Sequence, residues 1–283
     1  RIEIRGGGAG FRYRLAGGVA GWTITPTTGG VVATAVNLPA ERDLDRAPTE
    51  AGGILRYAWG SASDWPAVAR WWLEILRPVP RGADGAADVR REAQRLVGGL
   101  GSAASPRAKL VALLPLVQRD VRYVAVEVGI GGFRPTAPQE VLTRRWGDCK
   151  DKALLLAEML TAVGVPAYPA LALLDADGRV DREFPSPFEF NHAIVAIPTA
   201  GFDVAEGDPI AGGYLFVDAT QTLGSPSWLS PSVQDQEVLV VRGDGGELVR
   251  TPIVTPAEST TLSTAFGLDA EGNATGQARL ALR

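Results

Sequence analysis

Residues 144 to 160 read RRWGDCKDKALLLAEML and contain Cys149, the single cysteine among 283 residues, where an apolar helical pattern begins. A cysteine thiolate is a nucleophile, and it needs a partner that takes and returns a proton near neutral pH. Histidine is suited to that task, and the single histidine, His192, opens the apolar run HAIVAI 43 residues downstream. A third candidate is Asp218, at the end of GYLFVDAT. If the runs 192–197 and 213–218 pair antiparallel, the start of the first lies beside the end of the second, and His192 meets Asp218. A carboxylate there orients the imidazole and stabilises its charged form. Glu189 and Asp203 are competing orienting carboxylates. Each of the three candidates also has an ordinary reading: a small buried apolar cysteine, a structural histidine, an aspartate ending a strand.

The elements that position these residues are legible around them. With Asp148 as N-cap, Cys149 takes the first helical position and Asp151 the third, an acidic variant of the capping box. Gly164 and Pro166 stop the helix near Val163. Cys149 shares a face with Ala153, Leu156 and Leu160, so the thiol looks toward packed side chains. Backbone N–H groups and the positive end of the helix dipole stabilise a thiolate at that end. Lys150 and Lys152 in the same turn oppose the dipole and read either as a functional violation of a local rule or as exposed solubilising residues.

Residues 1 to about 60 alternate short β-rich pieces (RIEIR, FRYRL, GWTITPT, GVVATAVNL, GILRYAWG) with glycine clusters. SASDWPAVARWWLEILRP then carries caps, an early proline and a Trp-rich amphipathic pattern, which predicts a helix. Two more helices are expected, at 87–97 and from Ser105-Pro106 to about Val121 with a kink at Pro115. YVAVEVG (123–129) reads as a strand ending in the turn GIGGFRP. Strands follow in YPALALL, HAIVAI, GYLFVDAT and EVLVV, and STAFGLDAEGNATGQARLALR predicts two strands around a DAEGN turn. The expected domains are 1–60, the C-terminal part of a β domain; 61–245, an α+β unit; and 246–283, the start of another β domain.

Composition narrows the function. A net charge of -4 and a pI near 5.2 provide no basic field for a phosphate backbone, so nucleic-acid binding is disfavoured. No apolar run approaches the length of about 20 residues that spans a bilayer. One cysteine excludes an intramolecular disulfide framework and a multi-thiolate zinc site. Arg1 lies inside a strand-like run with neither initiator Met nor signal-like segment, which points to a processed or trimmed chain.

GDCKDKALLLAEML, FPSPFEFNHAIVAI and YLFVDAT resemble the Cys, His and Asp motifs of the transglutaminase-like superfamily, which shares a papain-like core. The closer resemblance is to bacterial proteins in which an N-terminal β domain of unknown function precedes that core, through RYVAVEVGIGGFRP and PQEVLTRRWGDCKDK. It covers roughly residues 60–245 well and the flanks loosely. The resemblance implies an α+β fold with helices packed on an antiparallel sheet between β-sandwich-type domains. It implies Cys149 as nucleophile, His192 as general base and acid, and Asp218 as the orienting residue. The reaction expected is acyl transfer or hydrolysis at an amide or peptide bond of a protein or peptide substrate through a Cys149 thioester, with no cofactor and no metal. A catalytically inactive scaffold that binds peptide or glycopeptide is the alternative. One oxyanion donor is the Cys149 backbone N–H; Tyr123 or Trp146 supplies the second, Tyr123 being preferred. Asn191 either positions His192 or satisfies the start of its strand. The resemblance places the protein outside the cytoplasm, in the periplasm of Gram-negative bacteria.

Other signals carry less. GIGGF lacks the Gly-Lys-Ser/Thr continuation of a phosphate loop and reads as a turn shaping the cleft. DADG at 175–178 reads as a hairpin turn rather than a calcium loop. The carboxylates around 203–208 read as solvated. The segments 175–191 and 198–212, on either side of His192, are expected to wall or cover the cleft.

Overall fold

The computed structural model describes residues 2–5, 12–16, 22–27, 30–36, 54–58, 64–80, 87–174, 179–222, 224–254 and 260–282. The DADG turn therefore lies outside the described residues. Five short strands come first: β1 (Ile2–Arg5), β2 (Arg12–Ala16), β3 (Trp22–Thr27), β4 (Gly30–Ala35) and β5 (Ile54–Ala58). They pair antiparallel in the order β1-β4-β3, with β2 on β5.

Helix α1 (Trp65–Leu76) is capped by Asp64, whose side chain accepts from Ala67 N, and proline occupies its first turn. After α2 (Ala87–Val97) comes α3 (Pro106–Pro115), capped by Ser105. The kink expected at Pro115 takes the form of a wider π-type turn over Leu116–Asp120. Proline cannot donate the N–H that continues an α-helix, and the wider turn absorbs that loss. Next are β6 (Arg122–Tyr123), α4 (Pro138–Arg144), β7 (Trp146–Gly147) and α5 (Cys149–Ala162). The long strand expected at 123–129 is only two residues, paired parallel with β7. Beyond Tyr123 no ladder partner is present among the described residues, and Val126 and Val128 stand 57% and 82% exposed. Alternating valines form a strand only where a neighbour takes their hydrogen bonds and a core takes one face.

The centre is a six-stranded antiparallel sheet built from β8 (Tyr168–Ala172), β9 (His192–Pro198), β10 (Ile210–Ala211), β11 (Tyr214–Val217), β12 (Glu237–Arg242) and β13 (Gly245–Arg250). Its order is β10-β11-β9-β8-β12-β13. β13 straddles the boundary expected between residues 245 and 246 and continues this sheet, packed against α1. One face carries Val195, Ile197, Leu215, Val217 and Leu239 into a core shared with all five helices, where Leu110, Leu113, Leu155, Leu156 and Leu160 are fully buried. The other face, with Ile194, Phe216, Val238 and Val240, is covered by Leu229, Val233 and Val254. Burial on both faces explains why these strands read as continuous apolar runs rather than alternating ones. A hairpin of β14 (Thr260–Leu268) and β15 (Ala274–Leu282) closes on Asp269, which accepts from Asn273 N at 2.8 Å.

Of the 203–208 carboxylates read as solvated, Asp203 and Glu206 are exposed, and Asp208 is the exception. The Asp208 side chain is fully buried against the Arg107 guanidinium at 2.7 Å, while Asp203 accepts from Ser105 Oγ and Arg107 N at the start of α3. The sequence carries no local signal of this pairing, because it joins elements about 100 residues apart.

Candidate active site

The start of α5 is fixed by its own cap. Asp148 Oδ1 accepts from Asp151 N at 3.2 Å, and Asp151 Oδ2 accepts from Asp148 N at 3.3 Å, the reciprocal cap expected from the sequence. Asp151 also accepts from Thr136 N at 2.6 Å and from Arg144 at 3.0 Å, so the cap is locked to the preceding loop. Burial pushes the Asp151 carboxyl up, as does the neighbouring Asp148 charge. Gly147 is required here, because a Cβ would lie 2.7 Å from Asp151 Cβ and 2.8 Å from its Oδ2. This cap engages the N–H groups of Asp148 and Asp151 and makes no use of that of Cys149, the first residue of the helix.

Lys150 and Lys152 are not exposed solubilising residues: they are 5% and 1% exposed. Lys150 is ion-paired with Asp148. Lys152 points the other way and donates to Val121 O at 2.9 Å and Gln118 O at 3.2 Å, carbonyls at the end of the π-type turn. Burial lowers its pKa to about 8, against the opposing pull of Asp218. Gln118 in turn donates to Asp218 O at 3.4 Å. The helix that begins at Cys149, the turn that leads to Tyr123 and the strand end that carries Asp218 are thus tied through one buried ammonium.

β9 and β11 pair antiparallel with Val195 opposite Val217, so His192 and Asp218 lie at the same end of the sheet. His192 Nε2 is 3.1 Å from Asp218 Oδ2, and both side chains are nearly buried. Asp218 Oδ1 accepts from Thr220 N at 2.8 Å and Thr220 Oγ1 at 2.7 Å, and Oδ2 accepts from Gln221 Nε2 at 3.3 Å. Burial works to raise the Asp218 carboxyl, but these donors and the His192 charge hold it below the usual carboxylate range. On His192 burial works to lower the pKa, and the hydrogen bonds and charges of Asp218 and Cys149 overcome it and raise the value to about 10. With Nε2 taken by Asp218, Nδ1 is the ring nitrogen left for the thiol.

Cys149 is 5% exposed, hydrogen-bonded to His192 and to the Tyr123 side chain. Burial and the nearby Cys149 charge raise the Tyr123 pKa, so its hydroxyl is a donor at any ordinary pH. The parallel β6–β7 pair sets this meeting: Val124 N donates to Gly147 O at 2.9 Å, which fastens Tyr123 beside the turn into α5. Trp146 lies elsewhere. Its ring carries the Arg144 guanidinium at 3.6 Å and its carbonyl accepts from Arg144 Nε, an arrangement that braces the loop. Asn191 lines the cleft, yet its Oδ1 accepts from Leu174 N at 3.0 Å. Glu189 accepts from Asp181 N and Asp203 from α3, so of the three carboxylates weighed it is Asp218 that contacts the imidazole.

A cavity of about 310 Å³ opens on Cys149 and His192. Trp72 and Leu171 line it deeply, Gly129, Gly132 and Phe133 come from the glycine-rich turn, and Pro187 and Phe190 from the segment before β9. Phe133 stacks edge-on against both Trp71 and Phe188, so the two loop segments touch through aromatic rings. Nothing in the sequence points to Gln118, Thr220 and Glu127 as parts of this region, and of Lys152 it leaves open whether it is functional or merely exposed. Only Lys152 had a local signal, a cation at the wrong end of a helix dipole. Among the described residues no group of His, Cys, Asp or Glu side chains is placed to hold a metal ion.

No known sequence-family profile and no curated protein matches the chain. Its structure is similar to that of a candidate protease of Parabacteroides distasonis, at 15% identity and a TM-score of 0.57 over 86% of this chain and 42% of that one. A candidate cysteine protease of Cytophaga hutchinsonii (17% identity, TM-score 0.34, 75% of this chain and 55% of that one) and a red sea bream transglutaminase (14%, 0.33, 81% and 45%) also match. Those two TM-scores are too low to establish a shared fold. The chain spans less than half the length of the Parabacteroides protein, and the likeness establishes a shared fold. That shared fold is one of helices packed on an antiparallel sheet. No described helix is long and apolar enough to cross a membrane.

Proposed function

We propose that this chain is a cysteine-dependent amide hydrolase or acyltransferase acting on proteins or peptides. The observation that carries the reading is the continuous contact from the Cys149 thiol through His192 to a buried, fully hydrogen-bonded Asp218. A histidine held protonated to about pH 10 between a thiol and a carboxylate is the partner that a thiolate nucleophile requires. Cys149 Sγ attacks the carbonyl carbon, and the developing oxyanion is met by the Cys149 N–H and the Tyr123 hydroxyl. His192 gives its proton to the leaving amine as the C–N bond breaks, which leaves a thioester. Water or an amine then attacks the thioester, His192 takes a proton from it, and the C–S bond breaks to release the Cys149 thiolate beside the protonated imidazole. Asp218 keeps the ring oriented throughout.

Alkylation by iodoacetamide tests this directly, because no second thiol competes. Between about pH 8.5 and pH 6 an unperturbed thiol loses roughly 100-fold of its thiolate. The expected result is a rate that falls by less than about tenfold over that span, and an ordinary profile in His192→Ala. A normal profile in both proteins refutes the pair. A binding scaffold without turnover is the second reading, favoured by the 5% exposure of Cys149, and it predicts a thiol that resists the reagent at every pH.

A further inference from the structure

Among the charged side chains lining the cleft, Glu127, an exposed residue, is the one with no ion-pair partner among the described residues. Lys150 is held by Asp148, and His192 by Asp218 and Cys149. Glu127, on the irregular segment between β6 and the glycine-rich turn, lines the same cavity and forms no salt bridge with a described residue. Its charge reaches the Tyr123 hydroxyl that bonds the thiol. The remaining walls include the aromatic rings of Trp72, Phe133 and Phe190. Ring faces attract cations through their quadrupole, and a carboxylate among them adds a full opposite charge. The cations of the lining are already engaged, Lys150 with Asp148 and His192 with Asp218 and Cys149, so an anionic group entering the cleft meets the Glu127 charge and, among the described lining residues, no unpaired cation to offset it. At about 310 Å³ the cavity is of a size for one extended side chain and the adjoining amide.

From this we infer that Glu127 is the specificity-determining residue of the cleft and that the substrate presents an alkylammonium group to it. The inference rests on the catalytic reading above and deepens it by naming the substrate class. The group arrives either on the acyl donor, as a lysine-like side chain, or on the amine that resolves the thioester. In both cases the carboxylate and rings hold the cation beside the thiol.

Charged methanethiosulfonates test the inference without a known substrate. Each transfers its thioalkyl group to the Cys149 thiolate, forming a mixed disulfide and releasing methanesulfinate. The rates of the 2-aminoethyl and 2-sulfonatoethyl reagents are each divided by their rates with N-acetylcysteine. The expected cation-to-anion ratio is above about fivefold for the chain, drops at least about threefold in Glu127→Gln, and stays put in Glu271→Gln on the remote hairpin. Thiol reactivity with no charge preference, or a preference that survives Glu127→Gln, overturns the inference and leaves the catalytic reading standing. A thiol inert to all reagents, iodoacetamide included, overturns both. Protection against the uncharged methyl reagent then separates the two sources. Protection by n-butylamine assigns the cation to the acceptor, protection by Nα-acetyl-lysine methylamide alone assigns it to the donor, and protection by neither overturns the inference.

Discussion

Lys152→Met separates what the buried ammonium costs from what it organises. Lys152 is 1% exposed, and its Nζ meets two backbone carbonyls and, among the described residues, no carboxylate within hydrogen-bonding distance. Its pKa falls from an ordinary 10.5 to about 8, so the fold disfavours the charged form by about 3 kcal/mol. The unfolded chain binds more protons than the folded one between pH 8 and 10.5, so this residue's contribution to stability rises with pH across that window and is flat outside it. The opposite trend comes from His192, whose raised pKa contributes stability that is complete below about pH 6.5 and lost as pH approaches 10. It is present in both proteins and cancels in their difference. Urea unfolding of the chain and of Lys152→Met at pH 7.5 and 10.5 is therefore expected to show the difference, native minus variant, grow by about 3 kcal/mol in favour of the native chain. At pH 7.5 the two are expected to lie within about 2 kcal/mol. Removal of the cation relieves its desolvation, while the Gln118 and Val121 carbonyls lose their donor. A difference that does not change with pH refutes the assignment of Lys152 as a buried charge that titrates near 8.

Three further outcomes follow from the same geometry. Gly147→Ala places a methyl group inside contact distance of Asp151 and disrupts the cap of α5; a loss of about 2–4 kcal/mol in urea unfolding is expected, with reduced alkylation of Cys149. Asp218→Asn keeps the shape but removes the charge that does most to raise His192, so the imidazole Cε1–H resonance, assignable at once in a chain with one histidine, titrates at least one pH unit below about 10. Tyr123→Phe removes a hydroxyl on a ring that is 47% exposed, so stability changes little, whereas the burst of p-nitrophenol from p-nitrophenyl acetate slows by about 100-fold if that hydroxyl serves the oxyanion.

The placement of the candidate site residues was legible for reasons specific to those residues. Asp148, Cys149 and Asp151 are three positions in one helical turn, and capping is a local code read over a few residues. The pairing of His192 with Asp218 needed one long-range assumption, antiparallel neighbours, and two apolar runs of similar length made it an economical one. The strand expected at 123–129 failed because a strand is defined by a partner, and nothing in YVAVEVG states that Gly147 is the last residue available to pair with it. Glu127 was read as part of that strand, which hid its place on the cleft wall.

The sequence by itself determined the elements whose signals are local: the capped helix that begins at Cys149, the helices started by Asp64 and Ser105, the apolar strands and the DAEGN hairpin. The tertiary structure alone decided which charges are buried. Lys150, Lys152 and Asp208 look like solvated surface residues in the sequence because burial depends on what other segments bring to them. The carbonyls that receive Lys152 are more than 30 residues away and the guanidinium that receives Asp208 about 100, distances over which propensity and periodicity say nothing. The field around the thiol, and with it the chemistry the cleft supports, is the sum of such long-range placements.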